Sequence, residues 1–221
     1  MSSRIEHADA LAILRELPEN WAQACITSPL RETRPETLEA VLAEIHRVLR
    51  FDGTLWLYAP RLPVEASALA ACGFHPQEAP WWAAPLATSG IRVQMASKRE
   101  RFFCDPPSLN PRRPRHFSCT SSPCRQPRSA APPDCVREAG AQLARRLLLA
   151  STSPKACGVC GAPYRRTDAP GERCASCAHR DASGRCLVID PFHERGVSLV
   201  GEVAHRHGRS FLGIARARER Q

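Results

Sequence analysis

Residues 187–214 read LVIDPFHERGVSLVGEVAHRHGRSFLGI, and this stretch sets the fold class. Leu187-Val-Ile-Asp190 is a short apolar run closed by an acid and Pro191, the pattern of a buried strand. Val197 to His207 reads as a helix that ends at Gly208, and Ser210-Phe-Leu-Gly-Ile214 as a second strand. Strand, helix and strand in so short a span make a βαβ unit, which implies parallel pairing and a sheet covered on both faces.

The upstream sequence continues the alternation. Ala8 to Leu17 has apolar residues at helical spacing, Ala24 to Thr27 is a strand-like run ending at Ser28-Pro29, and Val64 to Ala71 is a weaker helix. Thr37 to Arg50 carries Leu38, Val41, Leu42, Ile45, Val48 and Leu49 on one face. Asp52-Gly53 is expected to turn the chain into the strand Thr54 to Tyr58, and Ile91 to Ala96 reads as another strand. Cys135 to Ala150 is a helix candidate. Together these elements predict an α/β fold with a mostly parallel central sheet. Composition divides the chain into 1–97, a Pro/Arg-rich insert at 98–134 expected to be exposed and flexible, and 135–221.

Cys157-Gly-Val-Cys160 and Cys174-Ala-Ser-Cys177 are two C-x₂-C knuckles, separated by thirteen residues. Four thiolates from two tight turns suit the tetrahedral preference of zinc, so a zinc-ribbon-like segment is expected at 155–180. Four cysteines leave no open coordination position, which makes the expected role structural. Cys25, Cys72 and Cys186 adjoin apolar runs and read as buried thiols, while His116, Cys119 and Cys124 have no metal-ligand spacing. His205 and His207 read as surface histidines.

With 221 residues, 43% of them apolar, the chain can bury a substantial core. No apolar run approaches the ~18 residues of a membrane span. The first residues lack a basic-then-apolar export pattern, so a cytoplasmic location without disulfides is expected despite eleven cysteines. The net charge of +9 is compatible with a polyanionic partner. It comes almost wholly from arginine, a bias that a GC-rich coding sequence would also produce. Between Lys98 and Arg128 eight cations face two acids, so this insert could lie along phosphates or could be a solvated linker.

Four segments in order carry a resemblance. They are Ala8-Asp-Ala-Leu11 through Ala24-Cys-Ile-Thr-Ser-Pro29; Glu44 to Trp56; Arg145 to Tyr164 with its first knuckle; and Leu187 to Phe192 with Gly196 and Gly208 to Ile214. Their succession resembles the S-adenosylmethionine (SAM) dependent DNA amino-methyltransferases that modify cytosine N4 or adenine N6, in the members whose catalytic motif precedes the cofactor motif. The resemblance implies a SAM-methyltransferase sandwich, DNA as partner and a place in DNA methylation or restriction–modification. It implies that Ser28 and Pro29 receive the exocyclic amine of a flipped base. Asp190, Pro191, Phe192, Gly196 and Gly213 would frame SAM.

The sequence departs from that pattern at three contacts. Leu30-Arg31 stand where the family has a second proline and an aromatic that stacks on the base, Glu194 replaces the first glycine of the cofactor loop, and Ala215 replaces the ribose-binding acid. These substitutions predict weak or absent SAM binding. They favour a catalytically inactive, zinc-containing relative that binds nucleic acid over an active enzyme.

Overall fold

The computed structural model describes residues 3–29, 33–59, 64–77, 92–99, 133–153, 155–164, 173–174, 176–194 and 198–216. Its elements are β1 (Arg4–His7), α1 (Ala10–Glu16), β2 (Ala22–Thr27), α2 (Pro35–Val48), β3 (Leu49–Ala59), α3 (Ala66–Ala71), β4 (His75–Gln77), β5 (Arg92–Ser97), α4 (Pro133–Ser151), β6 (Leu187–Asp190), α5 (Val200–Arg206) and β7 (Ser210–Ala215). One sheet contains all seven strands in the order β1-β7-β6-β2-β3-β5-β4. From β1 to β3 every pairing is parallel, and β5 runs against both of its neighbours. Most of the basic insert lies outside the described residues.

The parallel core follows from the apolar runs. Every residue of β2, β6 and β7 is buried, as helices on both faces require. Alternation then assigns side chains to faces. Cys25, Leu55, Leu57, Ile189, Leu212 and Ile214 point to the face covered by α1, α2 and α3. Ala24, Ile26, Trp56, Val188 and Phe211 point to the face covered by α4 and α5. The helix expected at 37–50 is α2, which buries Leu38, Val41, Leu42, Ile45 and Val48, worth about 10 kcal/mol gross before chain entropy is counted.

Helix ends are capped by local and by long-range hydrogen bonds. Asp9 accepts the Ala12 N–H at 2.9 Å to start α1. Arg47 of α2 donates to the carbonyls of Leu14 and Leu17 at its other end, at 2.8 and 2.9 Å. Buried Arg209 does the same for α4, donating to Thr152 O at 2.7 Å and Thr152 Oγ1 at 3.0 Å.

Three readings from sequence need amendment. Asp52-Gly53 does not precede a strand but lies inside β3, where Ala22 pairs with Leu49 and Ala24 with Thr54. Five residues of β3 therefore span two of β2, and the turn signal is spent as a bulge. A Cβ on Gly53 would lie 2.8 Å from the Arg50 carbonyl, so the bulge needs glycine. β1 and β4 were not expected as strands. Cys72 and His207 are half-buried, whereas Cys25 and Cys186 are buried as expected and His205 is exposed.

The topology places a crevice. β6 leads through α5 to β7 on one side, and β2 leads through α2 to β3 on the other. Strand order thus reverses between β6 and β2, and the carboxyl ends of such neighbouring strands open a ligand crevice.

Candidate cofactor crevice and metal centre

β2 and β6 pair in parallel at Ala24↔Val188 and Cys25↔Ile189, so Ser28-Pro29 and Asp190-Pro191-Phe192 emerge side by side. Asp190 is fully buried. Its Oδ1 accepts the Thr27 hydroxyl at 2.6 Å, its Oδ2 accepts the Ser198 hydroxyl at 2.6 Å, and His193 Nδ1 lies 3.4 Å from Oδ2. Thr27 Oγ1 also accepts the Phe192 N–H at 3.3 Å. One threonine therefore joins the end of the candidate catalytic strand to the candidate cofactor loop. The resemblance that points to Ser28 gives no sign of Thr27, whose partners lie more than 160 residues away.

Gly213 sits opposite Asp190 in the β6–β7 ladder. A Cβ there would lie 2.9 Å from both His193 Cγ and a Phe211 ring carbon. The His193 ring is buried and meets Phe211 edge-on at 5.7 Å between centroids. Gly213 is thus required by the packing of His193, a residue that the motif reading passed over. Glu194 is exposed at the mouth of the crevice, and its carbonyl accepts the Ser198 N–H at 2.9 Å. Ala215 is buried at the end of β7, and its carbonyl accepts the Ala8 N–H. Gly196, Leu30 and Arg31 lie outside the described residues.

Electrostatics keep neighbouring groups neutral. Burial, reinforced by the Asp190 carboxyl, pushes the Cys25 thiol well above its ordinary value, so it is no nucleophile at neutral pH. Burial and then Asp190 also raise Tyr58 at the end of β3, although a hydrogen bond with Ser198 works the other way.

The second site lies at the opposite end of the strands. The Sγ atoms of Cys157, Cys160, Cys174 and Cys177 all lie within 4.8 Å of one another, with 3.5 Å for the pairs Cys157–Cys177 and Cys160–Cys174. Four sulfurs about 2.3 Å from a central zinc would be separated by ~3.8 Å, so the cluster has the dimensions of a tetrahedral site. The two knuckles share one backbone plan. Cys157 N–H bonds Ala162 O while Gly161 N–H bonds Cys157 O, and Cys174 N–H bonds His179 O while Ala178 N–H bonds Cys174 O. Gly161 and Ala178 occupy equivalent places with φ of 69° and 59°.

The cluster makes one thiol more acidic and another less so. Against the cost of burial, the N–H groups of Ser176 and Cys177 and the adjacent thiols lower Cys174 to about 7. Cys177 goes to about 12: the His179 N–H favours its thiolate, but burial and the three sister sulfurs outweigh it. One negative charge among four sulfurs discourages the next, and a divalent cation removes that repulsion. The first knuckle and the residues leading into it attach at the amino ends of β2, β3 and β6 through Gln23, Arg50 and Cys186. Gln23 and Thr27 stand four positions apart in β2, about 13 Å. A metal held by these cysteines therefore cannot touch reactants in the crevice.

No protein-family model matches the chain, and no curated protein matches it. Solved structures do. The seven-stranded α/β structure matches the SAM-methyltransferase fold. Similar structures are M1.HpyAVI (16% identity, TM-score 0.52, covering 98% of this chain and 92% of that one) and its complex with SAM (17%, 0.53, 98% and 93%). A third is TTHA0409 from Thermus thermophilus, described as a candidate DNA modification methylase (18%, 0.52, 97% and 89%). At such identities the likeness establishes the fold, and the resemblance to DNA methyltransferases read from the sequence agrees with it.

Proposed function

We propose that the chain is a DNA methyltransferase-like protein of the amino-methyltransferase type whose crevice no longer supports methyl transfer. It retains a structural zinc at Cys157, Cys160, Cys174 and Cys177 and engages nucleic acid through its arginine-rich segment. The observation that carries this reading is the engagement of Asp190. Asp190 is fully buried, and each of its carboxyl oxygens already accepts a hydroxyl from inside the protein, Thr27 on one and Ser198 on the other, so a ligand ammonium group would have to share or displace these donors in a site closed to solvent. Glu194 adds a carboxylate at the mouth where the family has glycine, and Ala215 offers no acceptor for ribose hydroxyls.

The alternative is an active enzyme, favoured by the intact juxtaposition of Ser28-Pro29 with Asp190-Pro191-Phe192. In that case the Ser28 side chain and backbone carbonyls would accept the N–H groups of a flipped cytosine or adenine, and SAM would supply the methyl group. Gly196 would give that ligand room, whereas the space over Gly213 is filled by His193 and Phe211. The deciding experiment incubates the zinc-loaded chain with SAM labelled in its methyl group and DNA of mixed sequence. The inactive reading expects no label in DNA, together with DNA binding that weakens steeply as salt rises. Label incorporated above a blank lacking protein would overturn it.

A further inference from the structure

The seam between β2 and β6 is closed at both ends by side chains of β2. Thr27 closes the crevice end, as described above. At the other end Gln23, 3% exposed, reaches from the knuckle to the sheet. Its Nε2 donates to the Gly161 carbonyl at 2.6 Å, and its Oε1 accepts the Leu187 N–H at 2.5 Å. A carbonyl on one side and an N–H on the other admit a single orientation of the amide. Arg50 supports the same contact by donating to the Cys160 carbonyl at 2.7 Å. Gly161 belongs to the knuckle turn itself, since its N–H returns to the Cys157 carbonyl at 2.8 Å.

We propose that Gln23 is a latch through which metal occupancy of the cysteine cluster sets the order of the β2–β6 seam and of the Thr27–Asp190 end of the crevice. The proposal rests on reading the four cysteines as a metal site. Two knuckles with one small buried cluster of their own are too little to hold shape without metal. When they relax, the Gly161 carbonyl leaves and the buried Gln23 amide loses its acceptor. The amide then rotates to find another, and Leu187 loses its partner at the first residue of β6. Towards β7 all four residues of β6 are paired, but on the β2 side the pairing is confined to the residue pairs 24↔188 and 25↔189, so the disturbance runs along this less supported side of the strand to the Thr27–Asp190 contact. Gln23 is a positioning residue in this scheme and touches no ligand.

The test is hydrogen exchange by NMR on the full chain, loaded with zinc and then stripped by EDTA under a reductant that prevents disulfide formation. Zinc stoichiometry is measured first. Removal should accelerate exchange of the Leu187 and Phe192 amides roughly tenfold or more, while Val41 to Ile45 in α2 keep their protection. Gln23→Met should still bind one zinc per chain, but exchange at Phe192 should no longer respond to it. Gln23→Glu keeps the acceptor for Leu187 and turns a carboxylate against Gly161, so it should uncouple the two ends in the same way if the methionine variant does not fold. Acceleration confined to 155–184 in the wild type would overturn the latch, as would uniform loss of protection that includes α2. Absence of bound zinc would instead remove the metal reading beneath it.

Discussion

Replacing Thr27 by valine deletes one hydroxyl while keeping the side-chain shape. That hydroxyl donates to Asp190 at 2.6 Å and accepts from Phe192 N–H at 3.3 Å, with both Thr27 and Asp190 fully buried. Losing the donor to the acid costs about 1.5–3 kcal/mol, and stranding the longer, partly accessible N–H contact adds about 1. Thr27→Val should therefore destabilise the fold by about 3 kcal/mol. With a urea m-value of about 2–3 kcal/mol/M, the midpoint should fall by about 1 M. Thr27→Ser keeps the hydroxyl and removes one methyl, for about 1 kcal/mol. Equilibrium urea unfolding of the three proteins, followed by circular dichroism, gives the comparison. A valine variant within about 0.5 kcal/mol of wild type, or a serine variant as damaged as valine, would refute the idea that this hydroxyl joins the two strand ends.

Other expectations concern the knuckles, the histidines and the crevice floor. Gly161→Ala forces a Cβ into φ 69° and should cost about 1 kcal/mol and weaken zinc retention, whereas Ala178→Gly should not; equal zinc loss in a chelator competition would contradict the shared turn geometry. Burial, followed by the charge of Lys98, lowers His46 below its ordinary value; His75 adds to this, and a Gly73 backbone hydrogen bond opposes it. The unfolded chain then takes up this proton first as pH falls. The stability His46 provides is complete above about pH 7.5 and is lost as pH falls through about 6.5 towards its lower folded value. Urea midpoints of His46→Gln should accordingly drop less than wild type between about pH 7.5 and about pH 5, and parallel curves would dismiss the effect. Gly213→Ala drives a Cβ against His193 and Phe211, each 2.9 Å away, and should cost about 1–3 kcal/mol by overpacking; a neutral thermal melt would show that the His193 ring is not fixed there.

What the sequence reveals and conceals divides along physical lines. β2, β6 and β7 are legible because burial on both faces leaves continuous apolar runs, and α2 because its apolar residues keep helical spacing. Arg4–His7 has one apolar residue and pairs at the sheet edge with β7 alone, so it lacks the pattern of a strand. His75–Gln77 contains Pro76, tolerated because β4 is the other edge. The cysteine cluster is legible because its ligands lie close in sequence. Gln23, Thr27, Arg50 and Arg209 are hidden because each bonds a partner distant in the chain, and no local spacing encodes such a pairing. His193 is hidden for another reason. It occupies a variable place in the cofactor motif, and its partners Asp190 and Gly213 become neighbours only once β6 and β7 pair.

Calorimetric titration of SAM into the folded, zinc-loaded chain, without DNA, tests the loss of cofactor binding most directly, because it needs no assumption about a target sequence. An internally satisfied Asp190 flanked by Glu194 and Ala215 predicts no measurable heat, with weak binding appearing in Glu194→Gly. Saturable micromolar binding to the wild-type chain would contradict it and would make the crevice a working cofactor site.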